Sequence, residues 1–149
     1  MNMSLSSHTK IQPSVLLVGG FSMPFEDLEK CLLLESDMHV PGFTYPLGLL
    51  TIAAVAREQY PDISYQILNI NKELCFHYKN PDKTPLTIEQ FIESALTALV
   101  KNPPMIVGVS QLFSTGHTSS LKLAEVIKRL WPKTLTVLGG HHVTNYAEN

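Results

Sequence analysis

Small and hydroxyl-bearing residues that follow two apolar runs are the first candidates for chemistry in this sequence. One run, residues 105–109, ends at Ser110, and another, residues 135–138, ends at Gly139 and Gly140. A hydroxyl can pair with a polar atom of a ligand that would otherwise be buried without a partner. Glycine has no Cβ, so a ligand can approach its main chain closely. The pattern predicts a slot in which a flat or bulky ligand lies against the backbone.

Histidines near these segments raise the question of a metal site. His141 and His142 follow the glycine pair, and His117 lies a few residues after Ser110. Adjacent residues of an extended segment point to opposite sides, so His141 and His142 are not expected to bind one ion. We therefore predict no metal ligands, and expect His141 to contact a bound ligand instead.

Several motif classes and environments are excluded or disfavoured. The sequence contains no G-x-G-x-x-G after its first apolar run, no Walker motif and no C-x-x-x-C-x-x-C. A net charge of −2 at pH 7 argues against a nucleic-acid partner. No apolar run approaches the roughly 20 residues that span a bilayer, so no membrane partner is expected. The two cysteines, Cys31 and Cys75, lack a redox spacing, and we expect a reducing, cytoplasmic location.

The elements that must position these residues alternate between strand and helix. Apolar runs of strand type at residues 15–18, 63–70, 105–109 and 135–138 are separated by segments of helical length. This order predicts an α/β fold with an open parallel sheet and helices on both faces, a flavodoxin-like (Rossmann-like) three-layer arrangement. In such a sheet the ligand crevice lies beyond the carboxyl ends of the first and third strands. A first glycine pair, Gly19-Gly20, follows the first strand, so we expect it to share one edge of the sheet with Ser110 and with Gly139-Gly140.

Individual segments give more local expectations. Residues 47–56 form a helix that is apolar on most of its surface, which predicts deep burial between layers, with Gly48 at a close-packing position. Thr87 and Gln90 form a capping box at the start of another helix. Residues 71–85 are mostly polar, which predicts a loop.

Domain boundaries follow from composition. Residues 1–13 are polar and Ser-rich and are predicted to be a disordered leader, and residues 14–149 form one domain. The tail after Gly140 carries no fifth strand. We therefore expect a sheet truncated after its fourth strand, with a C-terminal unit missing.

Three groups of residues together resemble a known family, the cobalamin (vitamin B12) binding domain found at the N-terminus of cobalamin-dependent radical SAM enzymes. The resemblance covers nearly the whole chain after the leader. It rests on Pro46-Leu47-Gly48-Leu49-Leu50, on Val107-Gly108-Val109-Ser110-Gln111-Leu112 with Ser114-Thr115, and on Leu138-Gly139-Gly140-His141-His142.

The resemblance implies roles for these residues. Ser110, Leu112 and Ser114 or Thr115 would line the pocket for the nucleotide tail of the cofactor. Gly139 and Gly140 would let that tail lie against the backbone, so that Gly140→Val should empty the slot with less effect on folding and Leu123→Ala should do the reverse. One departure matters: residues 19–24 lack the D-x-H-x-x-G of other cobalamin proteins, so no histidine ligand to cobalt is expected from this loop.

The expected function is a cobalamin-binding module without a catalytic centre of its own. By resemblance it is the N-terminal part or a remnant of a B12-dependent, methyltransferase-like radical SAM enzyme. S-adenosylmethionine and a 4Fe-4S cluster would be bound by the catalytic domain or chain of that enzyme. Two alternatives stay open. The chain could be a flavodoxin-like sensor or interaction domain with a flavin, a nucleotide or no ligand, or the glycines could serve only turns in an unstable chain.

Overall fold

Strands and helices alternate along the chain in the computed structural model, which describes residues 12–35 and 43–146. In chain order the elements are β1 (Ser14–Gly19), α1 (Phe25–Leu32), α2 (Leu47–Gln59), β2 (Ser64–Asn69), α3 (Ile70–Lys79), α4 (Ile88–Leu99), β3 (Ile106–Ser110), a 3₁₀ turn (Ser114–Gly116), α5 (His117–Leu130), β4 (Leu135–Gly139) and α6 (His141–Tyr146).

The four strands form one parallel sheet in the order β2-β1-β3-β4. This order confirms the flavodoxin-like α/β arrangement, because the winding direction reverses between β1 and β3. The register aligns the last residues of the strands. Gly19 pairs with Asn69 on one side and with Ser110 on the other, and Ser110 pairs in turn with Gly139.

Side chains along each strand point alternately to the two faces of the sheet. Helices pack against both faces, so the fold has three layers. Leu16 and Val18 of β1 belong to the main core, which includes residues of α1, α3, α4 and α5. Leu17 points to the other face, where it packs with Leu49 and Ala53 of α2. The capping box of α4 is present as predicted, with Thr87 and Gln90 bonded to each other's backbone.

Helix α2 corrects one expectation, because it is not deeply buried. Only its inward side, Leu49 and Ala53, is buried against the sheet. Its outer apolar side chains remain exposed, and a Cβ added at Gly48 would meet nothing within 4 Å. The apolar sequence therefore predicted a helix correctly, but the described residues cover it on one side only.

Helix α3 corrects a second expectation, since residues 71–85 were predicted to be a loop. The side chain of Asn69 accepts a hydrogen bond from the Lys72 N–H and so caps the helix. Ile70 and Leu74, four residues apart, are buried in the core and fix one face of the helix. Only the part after Lys79 is irregular.

The predicted leader lies mostly outside the described residues, which begin at Gln12. Its last two residues, Gln12 and Pro13, hydrogen-bond to the domain. The Gln12 side chain donates to the Asp62 carbonyl (3.1 Å), and the Pro13 carbonyl accepts from the Ser64 N–H (2.9 Å). Gln12 and Pro13 are therefore bonded to residues around the start of β2.

The described part of the chain leaves the α2 face of the sheet open over β3 and β4. Leu135 and Val137 point to this face, in register with Ile106 and Gly108, and are 57% and 47% exposed. No helix in the described parts of the chain is long and apolar enough to cross a membrane.

Candidate functional site

A crevice of about 450 Å³ lies at the carboxyl edge of the sheet, at the point where the winding direction reverses. This is the position where open α/β sheets bind their ligands, and the volume lies within the roughly 300–1,000 Å³ of ligand pockets. It is lined by strand ends, by the start of α2 and by the loops after β1 and β3: Gly19, Gly20, Phe21, Ser22, Thr44, Tyr45, Pro46, Leu47, Gly48, Leu49, Asn69, Asn71, Ser110, Leu112 and Phe113.

The floor of the crevice is built by the paired strand ends. Gly19 and Ser110 are neighbours in register, and the Gly20 N–H donates to the Ser110 carbonyl (2.8 Å). A Cβ at Gly20 would lie 2.6 Å from Oε1 of Gln111, so only glycine fits there. The sequence prediction that Ser110 and the first glycine pair share one edge is therefore confirmed.

The first turn of α2 forms one wall. Pro46 precedes the helix without a side-chain cap, and no acidic residue lies in the first turn. The Leu47 N–H donates to the Tyr45 carbonyl (2.9 Å), but no side chain offsets the partial positive charge of the helix start, which favours an anionic group of a ligand. Leu47 and Gly48 line the crevice at this end.

Two asparagines at the end of β2 and the start of α3, Asn69 and Asn71, also line the crevice, and sequence reasoning missed both. The Asn71 amide donates to the Gly20 carbonyl (2.9 Å) and accepts from the N–H of Ser22 (3.2 Å). Asn69 caps α3 and donates to the Thr44 carbonyl (2.8 Å). An asparagine directly after an apolar run is a helix-cap signal that would have identified Asn69.

The loop after β3 contains three further predicted site residues, Leu112, Ser114 and Thr115, and they do not all line the crevice. Leu112 lines it and is 56% exposed. Thr115 donates from its hydroxyl to the Ser22 carbonyl (3.3 Å), which ties the β3 loop to the β1 loop. The Ser114 hydroxyl instead pairs with Nδ1 of His142 (3.0 Å). Thus Ser114 and Thr115 connect the loops rather than line the crevice.

His141 and His142 lie in helix α6, not in the extended segment that was expected, and His117 begins helix α5. Nε2 of His142 lies 3.1 Å from Nδ1 of His117, beside a second, smaller cavity of about 210 Å³. His141 is exposed at the start of α6 and lies 3.1 Å from the Asn145 amide. Within residues 12–35 and 43–146, no group of three or more His, Cys, Asp or Glu side chains is arranged to hold a metal ion.

The two glycines at the end of β4, Gly139 within the strand and Gly140 after it, differ in what surrounds them. A Cβ at Gly139 would meet nothing within 4 Å, on the face shared with Ser110. Gly140 has φ +101°, and a Cβ there would lie 2.6 Å from the Gln111 carbonyl oxygen. Gly139 therefore faces open space, whereas Gly140 serves the turn.

Fold and site together define a doubly wound ligand-binding domain with its crevice at the switch point. The family model of the B12 binding domain matches residues 38–149, well over half of the chain. The chain therefore belongs to the B12-binding domain family and is a cobalamin-binding module. Neither the comparison with curated proteins nor that with solved structures found a match.

The residues present fit cobalamin. Open space at Gly139 and Gly48 leaves room for a flat group to lie against the backbone. Ser110 offers a hydroxyl at the floor, and the uncapped start of α2 offers a place for the phosphodiester of the tail. The family match begins at residue 38 and so does not include β1. This strand nevertheless lies between β2 and β3 in the same sheet.

Proposed function

We propose that this chain binds cobalamin through its nucleotide tail in the crevice and works with the catalytic domain or chain of a radical SAM enzyme. When bound, cobalamin supplies a cobalt that can carry a methyl group. In this proposal Ser110 and Leu112 contact the tail directly, Gly139 leaves space for it, and Ser114, Thr115, Gly140 and His141 shape the loops around it. The family match carries the proposal, and the crevice at the switch point offers a place for the cofactor.

The radical SAM part of the proposal has two supports. Residues 19–24 provide no histidine at the spacing used by cobalamin proteins that ligate the cobalt from this loop. In addition, an apolar surface lies on the α2 face of the sheet, where Leu135 and Val137 of β4 are exposed. Exposed apolar surface of this kind favours a protein partner.

The cysteines bear on the compartment. Cys31 and Cys75 are both buried and carry reduced thiols. Burial, and then the nearby Cys75, raise the pKa of the Cys31 thiol, which keeps it protonated and unreactive. These thiols support our proposal of a reducing, cytoplasmic location.

We further propose that residues 14–149 form the domain.

Cobalamin, and not a flavin, is expected to stay bound after desalting. The crevice offers a hydroxyl and glycine backbone, and no glycine-rich phosphate loop follows β1. The purified chain is incubated with hydroxocobalamin or with FMN, desalted, and measured by its absorbance spectrum. Retention of FMN together with complete loss of the corrin spectrum would reverse the assignment.

The partnership with a radical SAM chain is tested by isolating the native chain anaerobically. We expect iron, acid-labile sulfide and a polypeptide that contains C-x-x-x-C-x-x-C to be recovered with it. Val137→Lys on the exposed face should release that polypeptide and leave cobalamin bound. Recovery of the chain alone, with cobalamin and without iron, would contradict the partnership and leave the cofactor assignment intact.

A further inference from the structure

We propose that Gln111 is a positioning residue that fixes the carboxyl edge of the sheet in the form that receives cobalamin. The inference rests on the proposed site and adds a residue that the resemblance assigned no role. Gln111 follows Ser110 directly, and only 1% of its surface is exposed. A buried amide that lies beside a ligand crevice must have each of its polar atoms paired.

The side chain of Gln111 joins three separate segments. Its Nε2 donates to the carbonyl of Phe21 (3.4 Å) after β1 and to the carbonyl of Phe113 after β3. Its Oε1 accepts from the hydroxyl of Ser120 in α5. These partners also settle the orientation of the amide, because a flipped group would place its oxygen against two carbonyls.

The backbone of Gln111 joins a fourth segment, the turn after β4. Its N–H donates to the Gly139 carbonyl (2.7 Å), and its carbonyl accepts from the His142 N–H (3.2 Å). One residue thus connects the loops after β1, β3 and β4 to helix α5. Phe21 and Phe113, whose carbonyls it holds, both line the crevice.

Three glycines show how closely the chain is built around this residue. A Cβ at Gly20, Gly116 or Gly140 would in each case come within 2.6 Å of a Gln111 atom. The three belong to different loops of the same edge. Gln111 therefore contributes to the need for glycine at all three positions, although at Gly116 the carbonyl oxygen of Phe21 lies closer still (1.9 Å).

The first test compares Gln111→Met with two controls. Methionine has a similar length but offers no comparable donor, so the carbonyls of Phe21 and Phe113 lose their partner. We expect the dissociation constant for hydroxocobalamin to rise roughly tenfold or more. The controls are Leu123→Ala, at a fully buried core position, and Gln66→Met, whose amide donates to the Leu99 carbonyl (3.2 Å) away from the crevice.

Binding is titrated by absorbance below the melting transition of every variant. Both controls should bind within about twofold of the parent, even where Leu123→Ala is less stable than Gln111→Met. Binding by Gln111→Met at the parental level would overturn the positioning role. So would an equal loss of binding in Leu123→Ala, because stability alone would then explain the effect.

The second test uses Gln111→Glu and does not depend on the folding of the methionine variant. The introduced carboxylate cannot donate to a carbonyl, but its protonated form can, and burial raises its pKa. Its affinity relative to the parent should therefore recover as the pH falls from about 8 to about 5. A ratio that does not change with pH would overturn the inference. If the parent itself fails to bind cobalamin, the proposed function fails, and this inference falls with it.

Discussion

Gly139→Val is expected to weaken cobalamin binding by roughly 100-fold, or nearly 3 kcal/mol, with little change in folding stability. Gly139 ends β4 beside Ser110, and a Cβ there meets no atom within 4 Å. A branched side chain would therefore enter open space, where we propose that the tail of the cofactor lies. Valine is well suited to a strand, so the sheet should accept it. The dissociation constant and the thermal melt are measured on the same preparation.

The matched control for Gly139→Val adds bulk to the same face of the same strand, farther from the crevice. Leu135 lies four residues earlier in β4, about 13 Å away at about 3.3 Å per residue. Leu135→Phe should bind cobalamin like the parent, and Gly139→Ala should lie between the two. If Gly139→Val binds like the parent, the tail does not lie against this glycine, and the slot hypothesis is wrong at this position.

The architecture could be predicted from the sequence because its signals are local. Four apolar runs separated by helical lengths allow few topologies, and the capping box at Thr87 and Gln90 is a pattern within four residues. The same reasoning placed Ser110 and the first glycine pair at one edge. It failed where the answer depends on neighbours in space. The apolar pattern of α2 is that of a buried helix, but the described residues cover only its Leu49 and Ala53 side.

The details of the site depended on backbone geometry and on partners distant in sequence. Gly139 and Gly140 are identical in type and adjacent, and only the dihedral angle of Gly140 and its contact with Gln111 distinguish them. Gln111 bonds to Phe21, ninety positions away in the chain, and no short pattern reveals such a pair. Residues of this kind, buried and polar at the edge of a crevice, become visible only once the strands are assembled.

Gly140→Val is expected to destabilise the fold by about 3 kcal/mol or more, contrary to the expectation drawn from the sequence that it would mainly empty the slot. Gly140 has φ +101°, a region that a β-branched residue rarely adopts. The added Cβ would also lie 2.6 Å from the carbonyl oxygen and 2.9 Å from the nitrogen of Gln111. Both effects act on backbone, which cannot move aside as a flexible side chain can.

A loss of about 3 kcal/mol is large against the roughly 5–15 kcal/mol that stabilise a typical domain. For a chain of this size it should lower the melting temperature by roughly 6–12 °C in the absence of cobalamin. Gly48→Val is the matched control, because a Cβ at Gly48 meets nothing within 4 Å and the position has no positive φ. Its melting temperature should stay near that of the parent. A Gly140→Val variant that melts like the parent and yet fails to bind cobalamin would instead place Gly140 against the ligand, as the sequence first suggested.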